Sequence, residues 1–402
     1  MPFERPVVIS ITGHFNEQIL ALLDEQIALF EQNNPDIKVA VITAPGREAE
    51  RHDQFVTELR PGDTDQDIYV LNPLWLAEFD ASGWLELLDE YAQLEGLEVG
   101  DFLPAAIQAN TLAGQLVALP WVADGGVLYY RRDLLAEHGY DPPATWADLQ
   151  QIALDIKAKE DLPFGFVWQG APYESLTCNT LESAWAYGGD VLDKNGVPVF
   201  DSTETRAALQ QMSDFITLGI SPPEVATYEE ASTLQAFQNN GAVFMRHWPS
   251  AWNRLNSTDS PTADQVGLAP LPTSCLGGQS LALSIHSLHP RQAFRFMAFL
   301  VGYEQQLQLA RGEVLLPALE TVYSDAQLLA EDPSFRDLHA ALSVTRPRPQ
   351  SPAYAEMSEA IYTEVNRMLL GEQDAATTAV NVQHRLEAIL HKQEAPNLTE
   401  NE

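Results

Sequence analysis

The opening of the chain alternates apolar strands with helical segments, and this alternation limits the fold more than any other feature. Residues 7–11, 37–42 and 67–71 are short apolar runs typical of buried strands, and apolar residues recur at helical spacing over 15–30. Strands that alternate with helices form a parallel sheet covered on both faces, so we expect an α/β fold. Ligands of such sheets bind beyond the carboxyl ends of the strands, which is where Asn72 follows the third run.

The remainder of the chain also predicts mixed α/β structure. Thr145 and Asp148 form a capping box that begins a helix extending to about residue 159. Asn195 and Gly196 are typical of a hairpin turn. The further predicted strands are 242–246 and 280–285, and the further predicted helices are 203–218, 229–239, 290–301, 303–311, 325–342, 354–370 and 373–391.

The length of 402 residues exceeds the size at which one hydrophobic core stops growing, so we expect two lobes. No low-complexity linker divides the sequence. A two-lobed chain without a linker indicates that the backbone crosses between the lobes more than once.

The charge balance argues against several classes of partner. Lys and Arg total 22 and Asp and Glu total 57, which gives a formal net charge of −35. Nucleic acids and anionic lipids are recognised through basic clusters, so an acidic chain is unsuited to both. We interpret the acidity as a solubility feature of a dispersed surface. No stretch of the sequence reaches the roughly 18–20 apolar residues of a membrane span.

The first six residues lack the apolar core and the small-residue cleavage site of a signal peptide. The protein is therefore expected to be either cytosolic or an exported protein whose chain is given in its mature form.

Eight tryptophans stand mostly beside glycine, proline or a single polar group, as in 119–126, 165–170 and 245–252. An aromatic face in such surroundings suits a flat ligand with apolar CH faces and a polar rim, and sugars have this character. The alternative is that these tryptophans belong to the hydrophobic core.

The common enzyme motifs are absent from the sequence. It contains no dinucleotide-binding or P-loop glycine pattern, no metalloprotease helix motif and no hydrolase nucleophile elbow. The nine histidines are scattered, and the carboxylates of 189–200 lack the later ligands of a calcium loop. We therefore expect a binding protein without metal or cofactor. Because carboxylates are plentiful, a glycoside hydrolase with two paired acids is an alternative.

The two cysteines, Cys178 and Cys275, are too few for a thiolate metal site. A disulfide between them would close a long loop and stabilise the protein by roughly 4–5 kcal/mol in the chain-entropy model. The alternative is a pair of buried free thiols.

Several segments resemble those of extracellular solute-binding proteins of carbohydrate ABC importers, especially the trehalose/maltose-binding branch. The resemblance runs over nearly the whole chain in the family's order. The segments that carry it are 67–79, 83–89, 119–135, 143–149, 165–170, 173–182, 188–189, 244–252, 276–278 and 348–358.

The resemblance implies a type II periplasmic-binding-protein fold with two α/β lobes joined by hinge segments that close on a sugar. We expect a first lobe at 1–122 plus 274–322, a second lobe at 123–273 plus 323–393, and a disordered tail at 394–402. It further implies an extracytoplasmic, lipoprotein-anchored monomer that hands its sugar to ABC permease subunits. An oxidising compartment would favour the Cys178–Cys275 disulfide.

The resemblance also implies a set of ligand-binding residues. Asp124 matches an aspartate that accepts hydrogen bonds from two sugar hydroxyls, and Trp248 matches a stacking tryptophan. Arg348 matches a sugar-contacting arginine, and Tyr354 matches the aromatic residue that follows it. The other implied contacts are Tyr173, the Gly278 backbone, Arg51, and either Glu17 or Gln18. The alternatives are that Asp124 is a helix-cap or turn residue, that Trp248 packs in a lobe core, and that Arg348 is an exposed loop charge or a salt-bridge partner.

Three positions depart from the family pattern. Asn72 stands in place of the usual aspartate, Gln279 in place of a tryptophan, and Ser250 in place of an aromatic residue. Each change reduces the aromatic area or makes the site more polar. The sequence therefore predicts a short, neutral α-glucoside of the trehalose, sucrose, maltose or glucosylglycerol class. A sugar-sensing receptor domain with the same pocket is a further alternative.

Overall fold

The computed structural model describes residues 5–60, 66–312 and 315–394. The strands are β1 (Val7–Gly13), β2 (Ile37–Thr43), β3 (Ile68–Leu71), β4 (Thr111–Leu112), β5 (Gln115–Leu116), β6 (Leu119–Gly125), β7 (Val127–Arg131), β8 (Phe164–Val167), β9 (Ala242–His247), β10 (Val266–Pro270), β11 (Ser274–Leu283), β12 (Leu316–Pro317) and β13 (Thr345–Arg346). The α-helices are α1 (Glu17–Asn33), α2 (Glu48–Glu58), α3 (Leu76–Ala81), α4 (Asp89–Glu95), α5 (Pro104–Ala109), α6 (Arg132–His138), α7 (Trp146–Glu160), α8 (Glu174–Ala186), α9 (Thr203–Thr217), α10 (Glu230–Gln238), α11 (Trp252–Leu255), α12 (Pro290–Leu300), α13 (Tyr303–Arg311), α14 (Ala326–Glu331), α15 (Phe335–Ser343), α16 (Tyr354–Leu369) and α17 (Ala375–Glu394).

The chain forms two compact units, each built from several chain segments. The first unit comprises Met1–Asp124, Gly277–Phe335 and Gln350–Pro352, and the second comprises Gly125–Leu276, Arg336–Pro349 and Ala353–Glu402. The backbone therefore passes between them repeatedly, as the absence of a linker predicts.

The first unit is organised around a mixed sheet with the strand order β12-β6-β11-β3-β1-β2. Strand β1 pairs in parallel with β2 and β3, which confirms the predicted parallel arrangement of the opening strands. Strand β11 runs antiparallel to β3, and β12 runs antiparallel to β6. These strands reach the sheet after long excursions of the chain and not through a strand–helix–strand crossover, so the parallel rule does not extend to them.

The second unit contains a sheet with the strand order β10-β7-β9-β8. Strand β7 is antiparallel to both β9 and β10, whereas β8 is parallel to β9. Helix α7 precedes β8 and begins at the predicted capping box, in which the side chain and backbone of Thr145 and Asp148 exchange hydrogen bonds. Each unit is α/β, and the predicted fold class is confirmed.

Each unit has its own apolar core. In the first, Phe55 of α2 packs edge-on against Tyr69 of β3, and both side chains are fully buried. In the second, three rings contact one another with centroids 5.4–6.3 Å apart: Trp146 of α7, Phe166 of β8 and Phe215 of α9. Burial of such rings contributes on the order of 1.5–3 kcal/mol each.

Four chain segments differ from the predicted lobe limits: 123–124, 323–335 and 350–352 lie in the first unit, and 274–276 lies in the second. Residues 323–335, expected in the second lobe, lie in the first unit, because the Tyr323 hydroxyl donates to the Pro317 carbonyl and Arg311 pairs with Glu331. Residues 350–352 also lie in the first unit, where the Gln350 amide donates to backbone carbonyls of residues 108, 109 and 111. The predicted tail at 394–402 lies outside the described residues, apart from Glu394 at the end of α17.

The predicted helix over 325–342 is wrong as a single element. It is two helices, α14 and α15, separated at Asp332 and Pro333. Proline disfavours helical geometry in the residue before it, and the Asp332 carboxylate accepts from the Ser334 backbone N–H instead.

Among the described residues, no helix has both the length and the apolar character that a membrane span requires. The same part of the chain contains no group of three or more His, Cys, Asp or Glu residues arranged to hold a metal ion. At the turn around Asn195, the Asp193 carboxylate accepts from the backbone N–H groups of Asn195 and Val197, and these bonds lower its pKa.

Candidate functional site

Several predicted ligand-binding residues fall in the first unit. Asn72 directly follows β3, as expected, and caps a short 3-10 turn by accepting from the Leu74 backbone N–H at 3.1 Å. Its amide nitrogen donates to Glu48 Oε1 at 2.6 Å. Both halves of the amide are thus used, and an aspartate at this position would lack the donor that Glu48 receives.

Arg51 lies on α2 and is half-buried. Its Nη1 donates to the carbonyl oxygens of Pro45 and Gly46 at 2.9 and 3.2 Å, and its guanidinium lies 5.5 Å from the Trp75 ring centroid. Burial lowers the pKa of Arg51, although the negative charge of Glu48 acts to raise it. The side chain is therefore held near the loop at 45–46 with part of its surface accessible.

Glu17 and Gln18 occupy the first turn of α1, and both are exposed. Asn16 caps this helix by accepting from the Ile19 backbone N–H at 2.8 Å. Because neither side chain is needed for the cap, each remains available to a ligand.

Asp124 is a half-buried residue of β6 and the last residue of this unit before the chain enters the second. Burial raises the pKa of Tyr323, and the nearby Asp124 carboxylate adds to that increase. A side chain at Gly277 would bring its Cβ within 3.2 Å of the Asp124 Cβ. Glycine at 277 therefore leaves room for the Asp124 side chain.

Gly278 and Gln279 adjoin this position. Gly278 has φ +117°, and a Cβ there would lie 2.0 Å from the Val122 carbonyl oxygen, so the position requires glycine. Gln279 places its Oε1 in a buried position without a hydrogen-bond partner among the described residues. A buried acceptor of this kind is costly unless something else donates to it.

In the second unit, Arg348 and Tyr354 converge on Glu174, the first residue of α8. Arg348 Nη1 and the Tyr354 hydroxyl both donate to Glu174 Oε1 at 2.6 Å, and the Ser358 hydroxyl donates to Oε2 at 2.5 Å. Arg348 Nη2 also donates to the Leu276 carbonyl at 3.1 Å. Burial raises the pKa of Tyr354, with the Glu174 charge adding to the effect. Arg348 is thus a salt-bridge partner, the stated alternative, and its ligand role stays a prediction.

Trp248 and Tyr173 meet at a different carboxylate, Glu230. The half-buried Trp248 follows β9, and its Nε1 donates to Glu230 Oε1 at 3.3 Å. The Ser175 hydroxyl donates to the same oxygen at 2.6 Å. The Tyr173 hydroxyl is buried beside Ser175 and Glu230, without a well-formed hydrogen bond to the described residues. We call Tyr173, Glu230, Arg246 and Trp248 the Trp248 cluster.

The Glu230 carboxylate of the Trp248 cluster is held in its ionised form. Burial opposes ionisation, but hydrogen bonds from Ser175, its own backbone N–H and Trp248 outweigh burial and lower its pKa. Glu230 also begins α10, where the helix dipole favours negative charge. The cluster therefore combines two aromatic side chains with a fixed anionic acceptor.

Arg246 is the fourth residue of the Trp248 cluster, and its guanidinium covers one face of the Trp248 ring. Its guanidinium carbon lies 4.0 Å from the Trp248 ring centroid, and the side chain is fully buried. Nε and Nη2 bind the two oxygens of Glu182 at 2.9 and 2.6 Å, and Nη1 donates to Gln169 Oε1 at 3.3 Å. Although burial opposes its charge, the carboxylate of Glu182 raises the pKa of Arg246.

Both cysteines are buried free thiols. The Cys275 Sγ lies 3.7 Å from the Cys178 carbonyl oxygen, and burial raises the pKa of the Cys275 thiol. The structure therefore has the free-thiol alternative, and the disulfide stays an expectation for an oxidising compartment.

Four charged residues of the site are not singled out by the sequence: Glu174, Glu182, Glu230 and Arg246. Glu174 and Glu230 each stand at the first position of a helix, a place that acidic residues favour on general grounds. Arg246 lies only two residues from the tryptophan that was singled out. The ion pairs and hydrogen bonds that these residues make, however, join segments that are far apart in the chain.

Comparison with known proteins identifies the family. The bacterial extracellular solute-binding proteins match residues 13–307. A probable ABC transporter-binding protein of Deinococcus radiodurans is 31% identical over 347 residues, which cover 82% of this chain and 81% of that protein. The maltose-bound structure of T. maritima MalE3 has 39% identity and a TM-score of 0.80, and the match covers 95% of this chain and 100% of that one. The sugar-binding protein MalE of Xanthomonas citri shares the fold, with a TM-score of 0.87 and 22% identity over 98% of this chain and 100% of that one. The chain therefore belongs to the family of bacterial extracellular solute-binding proteins.

Proposed function

We propose that this protein is the substrate-binding component of a carbohydrate ABC importer and that it takes a small neutral α-glucoside. The candidates are trehalose, sucrose, maltose and glucosylglycerol. The 39% identity to a structure with bound maltose supports a sugar of this size. Proteins of this family bind solutes and are not enzymes, so we expect the sugar to be released unchanged.

The observation that carries the proposal is the Trp248 cluster. A half-buried indole ring offers a flat face to the apolar CH groups of a sugar, and Glu230 beside it offers a charged acceptor to hydroxyl groups. The Tyr173 hydroxyl supplies a polar group that the described residues leave without a well-formed hydrogen bond. A sugar hydroxyl would satisfy it.

The first unit supplies a complementary set of polar groups. Asp124 is the proposed acceptor for two hydroxyls, and the buried, unpartnered Gln279 Oε1 is a further acceptor beside the Gly278 backbone. Asn72, Arg51 and either Glu17 or Gln18 complete the set. Each neutral hydrogen bond contributes only about 0.5–1.5 kcal/mol, so several must act together.

The charges of the second unit favour a neutral ligand. The buried arginines Arg131, Arg246 and Arg348 are each paired with a carboxylate at 2.5–2.6 Å. Their charges are therefore already compensated inside the protein. A phosphate or carboxylate on the ligand would gain little from them and would approach the ionised Glu230.

We further propose that ligand contacts made to both units drive closure about the crossing segments. The closed protein would then present the sugar to membrane permease subunits. The family is extracytoplasmic, and we propose a lipid-anchored monomer as the native form. Scattering profiles with and without sugar test closure, since an unchanged profile at saturating sugar contradicts it.

Replacing Trp248 with alanine is expected to weaken sugar binding about tenfold, or about 1.4 kcal/mol, because one stacking face is lost. Calorimetric titration with trehalose, sucrose, maltose and glucosylglycerol gives the reference affinities, and maltotriose is the longer comparison ligand. Trp248→Phe is the matched control, since it retains an aromatic face and should lose less. Equal affinities of all three proteins, or a clear preference for maltotriose, would contradict the proposal.

Replacing Glu230 with glutamine is expected to weaken binding about fivefold. The substitution keeps the shape and an acceptor for Trp248 but removes the charge, and hydrogen bonds to charged groups are stronger by about 1 kcal/mol. Glu224→Gln is the matched control, because Glu224 is an exposed carboxylate in the same unit. Because the pKa of Glu230 is lowered, its contribution should persist as the pH falls from 7 to 5 and disappear only below the ordinary glutamate pKa. Calorimetry across this pH range checks both expectations.

A further inference from the structure

Arg246 has a position that stability alone does not explain. It is fully buried, and so is its partner Glu182. Buried ion pairs can often be replaced by apolar residues without loss of stability, because desolvation offsets the attraction between the charges. A charged pair in the core of the second unit is therefore evidence for a requirement other than stability.

The guanidinium group lies close enough to act on one particular side chain, Trp248. It is 4.0 Å from the Trp248 ring centroid, within the range of a cation–π contact. All three guanidinium nitrogens of Arg246 donate hydrogen bonds at the same time, Nε and Nη2 to Glu182 and Nη1 to Gln169. The group beneath the indole is thus fixed in place and does not follow the ring if the ring turns.

Two further contacts restrain the same tryptophan. Its Nε1 donates to Glu230, and its carbonyl oxygen accepts from the Tyr129 hydroxyl at 3.1 Å. The ring is held at one edge, its backbone is held separately, and one face is covered by the guanidinium. The face covered by the guanidinium is therefore closed to a ligand, so a stacking sugar would have to use the opposite face.

We propose that Arg246, fixed by Glu182, is a positioning residue that sets the orientation of the Trp248 ring for ligand stacking. The inference rests on the proposed function, since it assumes that Trp248 contacts the sugar. Arg246 itself has no exposed surface and acts only through the ring. A lysine at 246 keeps the charge but loses the planar group that matches the indole face.

The Glu182–Arg246 pair also contacts the segments by which the chain enters and leaves the second unit. A Cβ at Gly126 would lie 2.2 Å from Glu182 Oε1 and 2.5 Å from Arg246 Nη2. The Cys275 backbone N–H donates to Glu182 Oε1 at 3.1 Å. The orientation of Trp248 is therefore fixed relative to the backbone at both of these segments.

The test is a double-mutant cycle between Arg246→Lys and Trp248→Ala, with calorimetric affinity for the best-bound of the four sugars as the measurement. Arg246→Lys is expected to weaken binding about fivefold in the native background and less than 1.5-fold in the Trp248→Ala background. An equal loss in both backgrounds would overturn the inference. The neutral pair Glu182→Gln with Arg246→Met, which keeps an acceptor for the Cys275 N–H, repeats the cycle if the lysine variant is unstable.

A ligand-free readout separates this inference from the proposed function. The indole N–H resonance of Trp248, assigned by its loss in Trp248→Ala, should shift in Arg246→Lys, and an unchanged resonance would overturn the positioning role. Arg346→Lys is the matched control, because Arg346 lies 4.6 Å from the Trp185 ring and should affect neither Trp248 nor the affinity. If Trp248→Ala binds sugar normally, the proposed function fails at this contact, while the resonance still decides the positioning role.

Discussion

Replacing Glu182 with alanine is expected to lower the free energy of unfolding by about 3–5 kcal/mol, the largest effect that we predict for a single substitution on stability. The change leaves the Arg246 guanidinium buried without its counter-charge. It also removes the acceptor of the Cys275 backbone N–H. Urea unfolding followed by circular dichroism measures the loss.

Two control variants test whether the loss of stability comes from the buried, unpaired charge of Arg246. Lys159→Ala breaks an exposed ion pair with Asp155 on α7 and should change the free energy of unfolding far less, because water screens the exposed charges. The combined substitution Glu182→Gln and Arg246→Met removes both charges and should recover most of the lost stability. The prediction is wrong if Glu182→Ala costs no more than Lys159→Ala.

Replacing Asp124 with alanine is expected to weaken sugar binding about 100-fold, or about 2.7 kcal/mol. The proposed role of this carboxylate is to accept hydrogen bonds from two sugar hydroxyls. Without it these hydroxyls are buried unpaired, at a cost of about 1–3 kcal/mol each. Calorimetric titration measures the change.

Asp124→Asn and Asp24→Asn are the comparison variants. Asparagine at 124 keeps one acceptor and should give an intermediate loss of about tenfold. Asp24 is an exposed residue of α1 in the same unit, so removing its charge should leave the affinity unchanged. Native affinity in Asp124→Ala, with a normal unfolding curve, would remove Asp124 from the binding site.

The local part of the fold could be predicted from the sequence. The first strand was expected at 7–11 and is Val7–Gly13, and the second was expected at 37–42 and is Ile37–Thr43. Hydrophobic period and capping residues are properties of neighbouring positions, so they survive in a single sequence. The error at 325–342 has the same local character, because Pro333 was visible and its effect on the preceding residue decided the break.

The tryptophans show that neighbouring residues in the sequence do not predict whether a ring is buried. Trp121 follows a proline and Trp168 precedes a glutamine, surroundings that suit a ligand-facing ring, yet the two tryptophans are only 1% and 2% exposed. The Trp168 Nε1 donates to the Ser221 hydroxyl, a partner that its sequence neighbours do not reveal. Flanking residues describe the backbone, whereas burial depends on what other segments cover the ring. The alternative, that the tryptophans belong to the hydrophobic core, is therefore correct for these two positions.

The charged contacts of the candidate site could not be predicted for a related reason. Glu174 binds Arg348, and Glu182 binds Arg246, so each pair joins residues from distant segments. A sequence this rich in carboxylates gives no sign of which ones are buried and paired. Recognition of the family supplied Arg348 and Trp248 as positions, but only the structure supplied their partners.

The hydrogen bond between Asn72 and Glu48 couples the choice of residue at two positions of the candidate binding site. Their hydrogen bond is 2.6 Å long and needs an N–H from position 72. With aspartate there, two carboxylates would face each other at that distance and repel. Aspartate at position 72 is therefore disfavoured as long as Glu48 keeps its charge, whereas a neutral residue at 48 leaves the exposed Asn72 amide to water. The residue at position 48 thus limits which residues position 72 accepts.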